Sequence, residues 1–287
     1  MRLRITDRGL GLARIELLTD DPLVVVLPPV AAVRSALSPI TLGVTEDGHP
    51  LTLDLLSSAH LIVQGATGSG KSVGCYSLLG QLAAAPDVRV TGSDVSGLLL
   101  APWVIHPRHA GHQVLGTGNP LAHVELFERL VAEMDKTIAR IPAGRDSVVL
   151  GPDQPITLIV VEEYPGLLRL LDSADPKLGK RARMAVARLL AEGRKAGYRV
   201  LLIVQRADAA IVGAYERGQA SHRVSFRVDT LDALRMLHPD ATGEVAERHA
   251  TALSGIALAT APGLPLTRLR APHVDYAGYC AAVGVAA

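Results

Sequence analysis

The sequence is poor in the features that define several large classes of protein. Aromatic residues make up 3% of the 287 residues, only two are cysteines, and the formal net charge is +1. Cys75 and Cys280 stand far apart and fit no metal-binding spacing, so we expect reduced thiols in a cytoplasmic protein. The longest apolar run, near residues 22–33, is too short and too rich in proline to cross a bilayer. A disulfide scaffold and a membrane-spanning chain are therefore not expected.

The apolar residues that are present are mostly aliphatic. Hydrophobic residues account for 48% of the chain, enough for a buried core of Ala, Val, Leu and Ile. Short apolar runs at 61–63, 88–92, 156–161 and 200–204 alternate with helical patterns, the clearest over residues 121–141. This alternation is typical of an α/β protein whose mostly parallel central sheet is covered on both faces.

The first 36 residues have a different pattern. Three short apolar runs predict strands there, at residues 3–6, 13–18 and 23–27. We therefore divide the chain into a small N-terminal β-rich appendage, residues 1–36, and a main α/β domain, residues 37–287. Within the main domain, residues 97–118 are rich in Gly, Pro and His and predict a loop.

The most specific motif is a glycine-rich loop of the form G-x-x-x-x-G-K-S. It consists of Gly65, Ala66, Thr67, Gly68, Ser69, Gly70, Lys71 and Ser72, directly after an apolar run. Such a loop turns its backbone N–H groups toward the phosphates of a nucleotide. Lys71 can reach the β and γ oxygens, and the Ser72 hydroxyl can ligate Mg²⁺. A glycine and serine turn that matches by chance would lack both the strand before it and the proline-free helical segment after it.

Two other strand ends carry polar residues. Glu162 and Glu163 follow one apolar run, and Gln205 follows another. Because ligands bind beyond the carboxyl ends of parallel strands, we expect these residues to gather around the same nucleotide. Glu162 would complete the Mg²⁺ shell with Ser72, Glu163 would polarise the attacking water, and Gln205 would sense or orient the γ-phosphate. The alternative for each is an ordinary exposed strand end.

Positive charge is concentrated in one segment. Between Lys177 and Arg227 there are 12 Lys and Arg residues against 3 Asp and Glu. Such a segment could follow a nucleic acid backbone or face the nucleotide of a neighbouring subunit. A solvated helix face with scattered loop arginines is an equally good interpretation.

Beyond the phosphate loop, a series of short motifs occurs in a characteristic order. It comprises residues 42–43, 54–55, 60–63, 94, 133–136, 194–197, 205–206, 222–226 and 232–235. In that order, over residues 39–274, the chain resembles the FtsK/SpoIIIE family of hexameric DNA-pumping ATPases. More narrowly, it resembles the small transfer proteins of actinobacterial conjugative plasmids and integrative elements.

The resemblance implies a RecA-like P-loop NTPase fold of the ASCE type, with the Gln205 strand between the phosphate-loop strand and the Glu163 strand. It implies ATP and Mg²⁺ as cofactors, and a homo-hexamer around double-stranded DNA that is translocated in conjugative transfer. Any membrane contact would then be made through partner proteins. ATP would bind between subunits, with Arg194 reaching across as the arginine finger. Arg223 is the second choice, and for either arginine a plain interface salt bridge is the alternative.

Two departures from the family pattern affect these expectations. Glu162 stands where the family has Asp, which moves the carboxylate by one methylene. The residues after position 274 are too few for the winged-helix module of relatives, so no DNA-sequence preference is expected. Two alternatives stay open: a secretion-type motor that acts on protein, and an ATP-binding assembly module with little hydrolysis.

Overall fold

The computed structural model describes residues 2–9, 12–18, 21–57, 60–109, 111–207 and 213–284. The strands are β1 (Arg2–Gly9), β2 (Leu12–Leu18), β3 (Ile40–Thr45), β4 (Pro50–Leu53), β5 (His60–Gln64), β6 (Val88–Asp94), β7 (Gln113–Leu115), β8 (Ile156–Glu162), β9 (Tyr198–Val204), β10 (His222–Phe226), β11 (Ile256–Ala261) and β12 (Leu264–Arg270). The helices are α1 (Lys71–Gly80), α2 (Ala101–Val104), α3 (Pro120–Ile138), α4 (Tyr164–Ala174), α5 (Pro176–Glu192), α6 (Ala214–Gln219), α7 (Leu231–Leu237), α8 (Gly243–Ala250) and α9 (Tyr276–Val283).

Ten of the described strands form one mixed sheet in the order β4-β3-β12-β11-β10-β5-β9-β8-β6-β7. From β10 to β7 all neighbours are parallel, and from β10 to β4 all are antiparallel. The strand that leads to Gln205, β9, lies between β5 and β8, as the resemblance implies. The expected α/β fold with a mostly parallel central sheet is therefore confirmed.

The middle residues of the central parallel strands β5, β8 and β9 are mostly apolar because helices cover both faces. In β5, Leu61 and Val63 pack on the face of α1 and α9, whereas Ile62 packs on the face of α3, α4 and α5. In β9, Leu201 and Ile203 pack on the same face as α1 and α9, whereas Leu202 packs on the opposite face. With both faces buried, the ends of the strands are the places where polar side chains can meet a ligand.

The β6–β8 pair is unusually close at one position. Gly92 has a φ of 149°, and a Cβ atom at this residue would collide with the carbonyl oxygen of Val160 on β8. Two residues further on, Asp94 lies opposite Glu162 in the same parallel register. Gly92 therefore allows the approach that brings these two carboxylates side by side.

The N-terminal segment differs from expectation in one strand. β1 and β2 pair antiparallel in a separate two-stranded sheet. The strand predicted over residues 23–27 is wrong: Pro22–Val24 is a 3₁₀ turn, and Leu27 makes only an isolated bridge to Pro272. The flanking prolines remove N–H donors that a strand would need, which explains the difference. The domain division between residues 36 and 37 stays a prediction.

Three other differences from the sequence-based expectations concern a loop, a helix end and an additional helix. The predicted loop over residues 97–118 contains helix α2 and the short edge strand β7. The long helix ends at Ile138 rather than at residue 141. Helix α4 is not expected from the sequence pattern; it and α5 both have proline in the first turn, where a missing N–H costs nothing. Among the described helices, none is both long and apolar enough to cross a membrane.

We predict that Gly92→Ala destabilises the fold by about 2–4 kcal/mol, because a central parallel pair must move apart. Gly118→Ala is the matched control, since a Cβ atom on this glycine would have no neighbour within 4 Å and its φ is ordinary. Urea denaturation of both variants measures the difference. Equal stability of the two variants would show that the β6–β8 approach imposes no such constraint.

Candidate active site

The phosphate loop is held in place by the segments that follow β10 and precede β11. It leaves β5 at Gln64 and enters α1 at Lys71. The Ala66 N–H donates to the Arg227 carbonyl after β10 at 2.9 Å, and the Gly255 N–H donates to the Ser69 carbonyl at 2.9 Å. Gly70 has a φ of 93°, and a side chain there would collide with the backbone of Gly255. The loop is therefore preorganised as an anion cradle at the N-terminus of α1.

Lys71 lies between the ends of two other parallel strands. Its Nζ donates to the Val204 carbonyl at the end of β9, at 3.0 Å. It also lies 3.7 Å from the Glu163 Oε2 atom, just after β8. Both side chains are largely buried, with 12% and 15% of their surface exposed. The parallel order β5-β9-β8 thus brings the lysine and the carboxylate to one point.

Glu163 adopts a conformation that is rare for a residue other than glycine. Its φ is 50°, and it has the one positive φ among the described non-glycine residues. This left-handed conformation costs about 1–2 kcal/mol and turns the chain sharply from β8 into α4. Burial raises the pKa of the carboxyl, while Lys71, Arg169 and a hydrogen bond from the Gln205 N–H oppose that rise. A strained carboxylate with a raised pKa is suited to accept a proton.

The half-buried Glu162 and the fully buried Asp94 form a carboxyl pair at the ends of β8 and β6. Burial and the neighbouring charges of Asp94 and Glu163 raise the pKa of Glu162 to about 7, and a hydrogen bond to Asp94 contributes. Asp94 accepts hydrogen bonds from Ser96, Gly97 and the Leu100 N–H, so it also closes the following turn. The Glu162 Oε2 atom is buried and has no hydrogen-bond partner among the described residues.

This donor set fits a hard divalent cation. Carboxylate and hydroxyl oxygens are the ligands that Mg²⁺ prefers, and in nucleotide sites few of them come from protein. Ser72 is exposed at the start of α1, and the unpaired oxygen of Glu162 is available near Lys71, whose charge lowers the pKa of that carboxyl. Within the described ranges, no group of three His, Cys, Asp or Glu residues is arranged to hold a metal ion by itself.

Gln205 is exposed directly after β9, at the same edge. Its carbonyl accepts a hydrogen bond from the Gly65 N–H at 3.2 Å, and its backbone N–H helps to limit the pKa of Glu163. The structure therefore brings together the phosphate loop, Glu162, Glu163 and Gln205, which the strand-end pattern predicts as one site.

The two candidate finger arginines lie elsewhere. Arg194 is exposed in the turn before β9, at the opposite end of a strand of seven residues, about 20 Å from the loop. It cannot serve the loop of its own chain, so its proposed role requires a second subunit. Arg223 donates to the carbonyls of Ala220, Leu237 and Arg217, and is therefore used within the chain.

Arg227 is a neighbour of the loop that the sequence motifs do not indicate. Its guanidinium donates to the Ala252 carbonyl at 3.2 Å, and its Nη2 atom would lie 4.0 Å from a Cβ atom on Gly68. It lines a cavity of about 390 Å³ together with Thr67 and Gln205. Arg227 directly follows β10, so the rule that ligands bind at strand ends could have identified it. The apolar pattern around β10 instead predicts a strand that continues through Arg227.

Three of the twelve basic residues in this segment form ion pairs within the chain. Arg181 pairs with Glu128, Arg183 with Asp172, and Arg188 with Asp135 and Glu192. The Arg199 side chain is buried and donates to the backbone carbonyls of Leu55 and Leu56. Asp208 lies outside the described residues. The number of positive residues is therefore a weaker argument for nucleic acid than the sequence suggests.

Together, the sheet order, the glycine-rich loop and the adjacent Glu162 and Glu163 at the end of β8 define a RecA-like P-loop NTPase fold. A profile of the FtsK/SpoIIIE family matches residues 27–257, so the chain belongs to the FtsK/SpoIIIE family.

Among curated relatives, the DNA translocase FtsK of Helicobacter pylori strain J99 is 28% identical over 255 residues, covering 82% of this chain. The DNA translocase FtsK 2 of Ralstonia nicotianae strain GMI1000 is 27% identical over 224 residues, covering 67% of this chain. This chain spans only 28% of the length of each of these relatives.

Two solved structures share the fold. The conjugation coupling protein TcpA of pCW3, a monomer with ATPγS, superposes with a TM-score of 0.72 and 19% identity, over 95% of this chain and 77% of that one. The cytoplasmic domain of the type VII secretion ATPase EccC of Thermomonospora curvata superposes with a TM-score of 0.68 and 22% identity, over 89% of this chain and 32% of that one.

We predict that the free energy of unfolding falls as the pH rises toward neutrality, because of Glu162. Its pKa is about 7 in the folded chain against an ordinary 4.5, so the folded state binds more protons between these values. The stabilisation is fully present below the pKa of Glu162 in the unfolded chain, 4.5. It is lost as the pH rises through the pKa of Glu162 in the folded chain, about 7. Urea titrations at about pH 5 and about pH 8, without nucleotide or divalent cation, measure the loss.

The variant Glu162→Gln should lose less stability over this range than the wild type. Glu125→Gln changes an exposed glutamate on α3 and should follow the wild type. If Glu162→Gln and the wild type lost the same amount, the raised pKa of Glu162 would be wrong.

Proposed function

We propose that this chain is an ATP-hydrolysing motor domain that translocates double-stranded DNA. The observation that carries the proposal is the position of Glu163, whose Oε2 atom lies 3.7 Å from the Lys71 Nζ atom at the end of the phosphate loop. Membership of a family whose curated relatives are named DNA translocases supports DNA as the substrate. The narrower role in conjugative transfer is part of the proposal; structural similarity to a conjugation coupling protein is compatible with it but shows only the fold.

The proposed chemistry is hydrolysis of the γ-phosphate. The loop amides and Lys71 hold the phosphates, and Glu163 accepts a proton from the attacking water as the bond between the γ-phosphorus and the ADP oxygen breaks. Gln205 orients the γ-phosphate. Ser72 and Glu162 would hold Mg²⁺, which when bound neutralises phosphate charge.

The motor would work as a ring of identical subunits on DNA. Arg194 is exposed and distant from the loop of its own chain, as a finger acting on the nucleotide of the next subunit must be. Residues 37–287 would form the motor, and residues 1–36 an accessory segment. Partner proteins would link the ring to the transfer machinery in the cytoplasm or at the membrane.

A motor that acts on protein is the second candidate. Its support is the internal pairing of Arg181, Arg183 and Arg188, which removes part of the charge that would attract DNA. The structural similarity to a secretion ATPase is compatible with it but shows only the fold.

We predict that linear duplex DNA stimulates ATP turnover by the wild-type chain. Lys71→Ala should abolish turnover through loss of phosphate binding. Glu163→Gln should lower turnover by about 10²- to 10⁴-fold, the usual contribution of a general base, while it retains ATP binding. Steady-state phosphate release and equilibrium binding of labelled ATP measure the two effects. Lys136→Ala and Glu125→Gln, both exposed on α3, are the matched controls.

Turnover that no duplex stimulates would favour the protein-acting motor. An ATP turnover no higher than background, with ATP binding intact, would favour an ATP-binding assembly module. The presence of Glu162 where the family has Asp would then explain the weak hydrolysis. Equal turnover of Glu163→Gln and wild type would contradict the catalytic assignment itself.

A further inference from the structure

A buried amide side chain stands directly before the phosphate loop. Gln64 is the last residue of β5 and is completely buried. It directly follows the apolar residues 61–63 of that strand. Burying an amide is costly unless every donor and acceptor is satisfied. Such a residue in a central strand therefore needs a specific reason, which its partners supply.

The hydrogen bonds of Gln64 join β5 to β10, to α7 and to the turn after β9. Its Oε1 atom accepts a hydrogen bond from the Ala207 N–H at 3.0 Å, two residues after Gln205. Its Nε2 atom donates to Ser225 Oγ on β10 at 2.7 Å and to the Ala233 carbonyl on α7 at 3.1 Å. The acceptor oxygen thus points to the turn after β9, and the two donated bonds hold the amide in one orientation.

The donor side is anchored further into the sheet. Ser225 Oγ lies 2.8 Å from His238 Nε2, and His238 Nδ1 lies 3.1 Å from Thr260 Oγ1 on β11. Burial lowers the pKa of His238 to about 3, so this histidine is neutral and acts as a fixed hydrogen-bonding link. The orientation of the Gln64 amide is therefore set by packed, buried groups.

The turn after β9 is fastened to β5 at both ends. The Gly65 N–H donates to the Gln205 carbonyl, and the side chain of Gln64 accepts from the Ala207 N–H. The Gln205 side chain itself is exposed, and no described residue forms a hydrogen bond with its carboxamide. The two attachments therefore fix the backbone from which the Gln205 side chain projects.

We propose that Gln64 is a positioning residue that aims Gln205 at the γ-phosphate, through its hydrogen bond to Ala207. This inference rests on the proposed function, because it requires a triphosphate in the loop. Gln64 touches neither the nucleotide nor the attacking water. Its effect should therefore appear in the discrimination between nucleoside triphosphate and diphosphate rather than in binding of the shared phosphates.

The test compares binding of AMP-PNP, an ATP analogue that is hydrolysed very slowly, with binding of ADP. In Gln64→Met, which keeps the length but not the hydrogen bonds, the preference for AMP-PNP over ADP should fall roughly tenfold, the usual cost of one bond to a charged group. Affinity for ADP should stay close to that of the wild type. Isothermal titration in the presence of Mg²⁺ measures both constants.

The chain contains a closely matched control. Gln81, at the end of α1, is buried, accepts from the Thr41 N–H and donates to the carbonyls of Thr41 and Ser77. Gln81→Met removes the same set of bonds about 15 Å from the loop. It should reduce stability as Gln64→Met does, but leave the AMP-PNP preference unchanged.

A second variant separates positioning from folding. Gln64→Glu keeps the length and the acceptor oxygen for Ala207 and, in the protonated form that such complete burial favours, one donor, so it should retain more of the preference than Gln64→Met. Equal losses in these two variants, or a loss in Gln81→Met as large as in Gln64→Met, would overturn the inference. A wild-type chain that binds neither nucleotide would overturn the proposed function together with this inference.

Discussion

The candidate site depends on one constraint, the parallel alignment of β5, β9 and β8. Parallel strands that follow right-handed crossovers end at the same edge of a sheet, and here they deliver a lysine, a carbonyl and a carboxylate to one point. Lys71 bonds to Val204 and lies beside Glu163, so each of the three strands contributes one group. A shift of β9 by one residue would exchange its faces and remove Gln205 from this position.

The acidic edge shows how the fold sets the chemistry of a side chain. Glu162 and Glu163 are adjacent in sequence, but they point to different partners because the chain turns through a left-handed conformation between β8 and α4. Glu162 lies against Asp94, and burial with like charge raises its pKa. Glu163 lies against Lys71, which limits the rise of its own pKa. Two identical residues therefore acquire separate roles in the proposed mechanism.

Much of the site can be derived from sequence, because its signals are local. The glycine pattern, the apolar runs and the polar residues at their ends depend on neighbours in the chain, and they correctly indicate the sheet and the grouping of Lys71, Glu163 and Gln205. The strand predicted over residues 23–27 is wrong because its apolar pattern is flanked by prolines that cannot pair. Helix α4 is hard to predict because Pro165 resembles an interruption of the chain, whereas it begins a helix.

Other features were decided only by tertiary structure, since they depend on contacts between distant segments. The pairing of Asp94 with Glu162 needs the register of β6 on β8, and the position of Arg227 needs the end of β10 beside the loop. The charge of the basic segment is visible in sequence, but its neutralisation by acidic residues of α3 and α4 is not. By itself the sequence determined which groups stand at strand ends; the packed sheet decided which of them meet, because hydrogen bonds and ion pairs act only at contact distance.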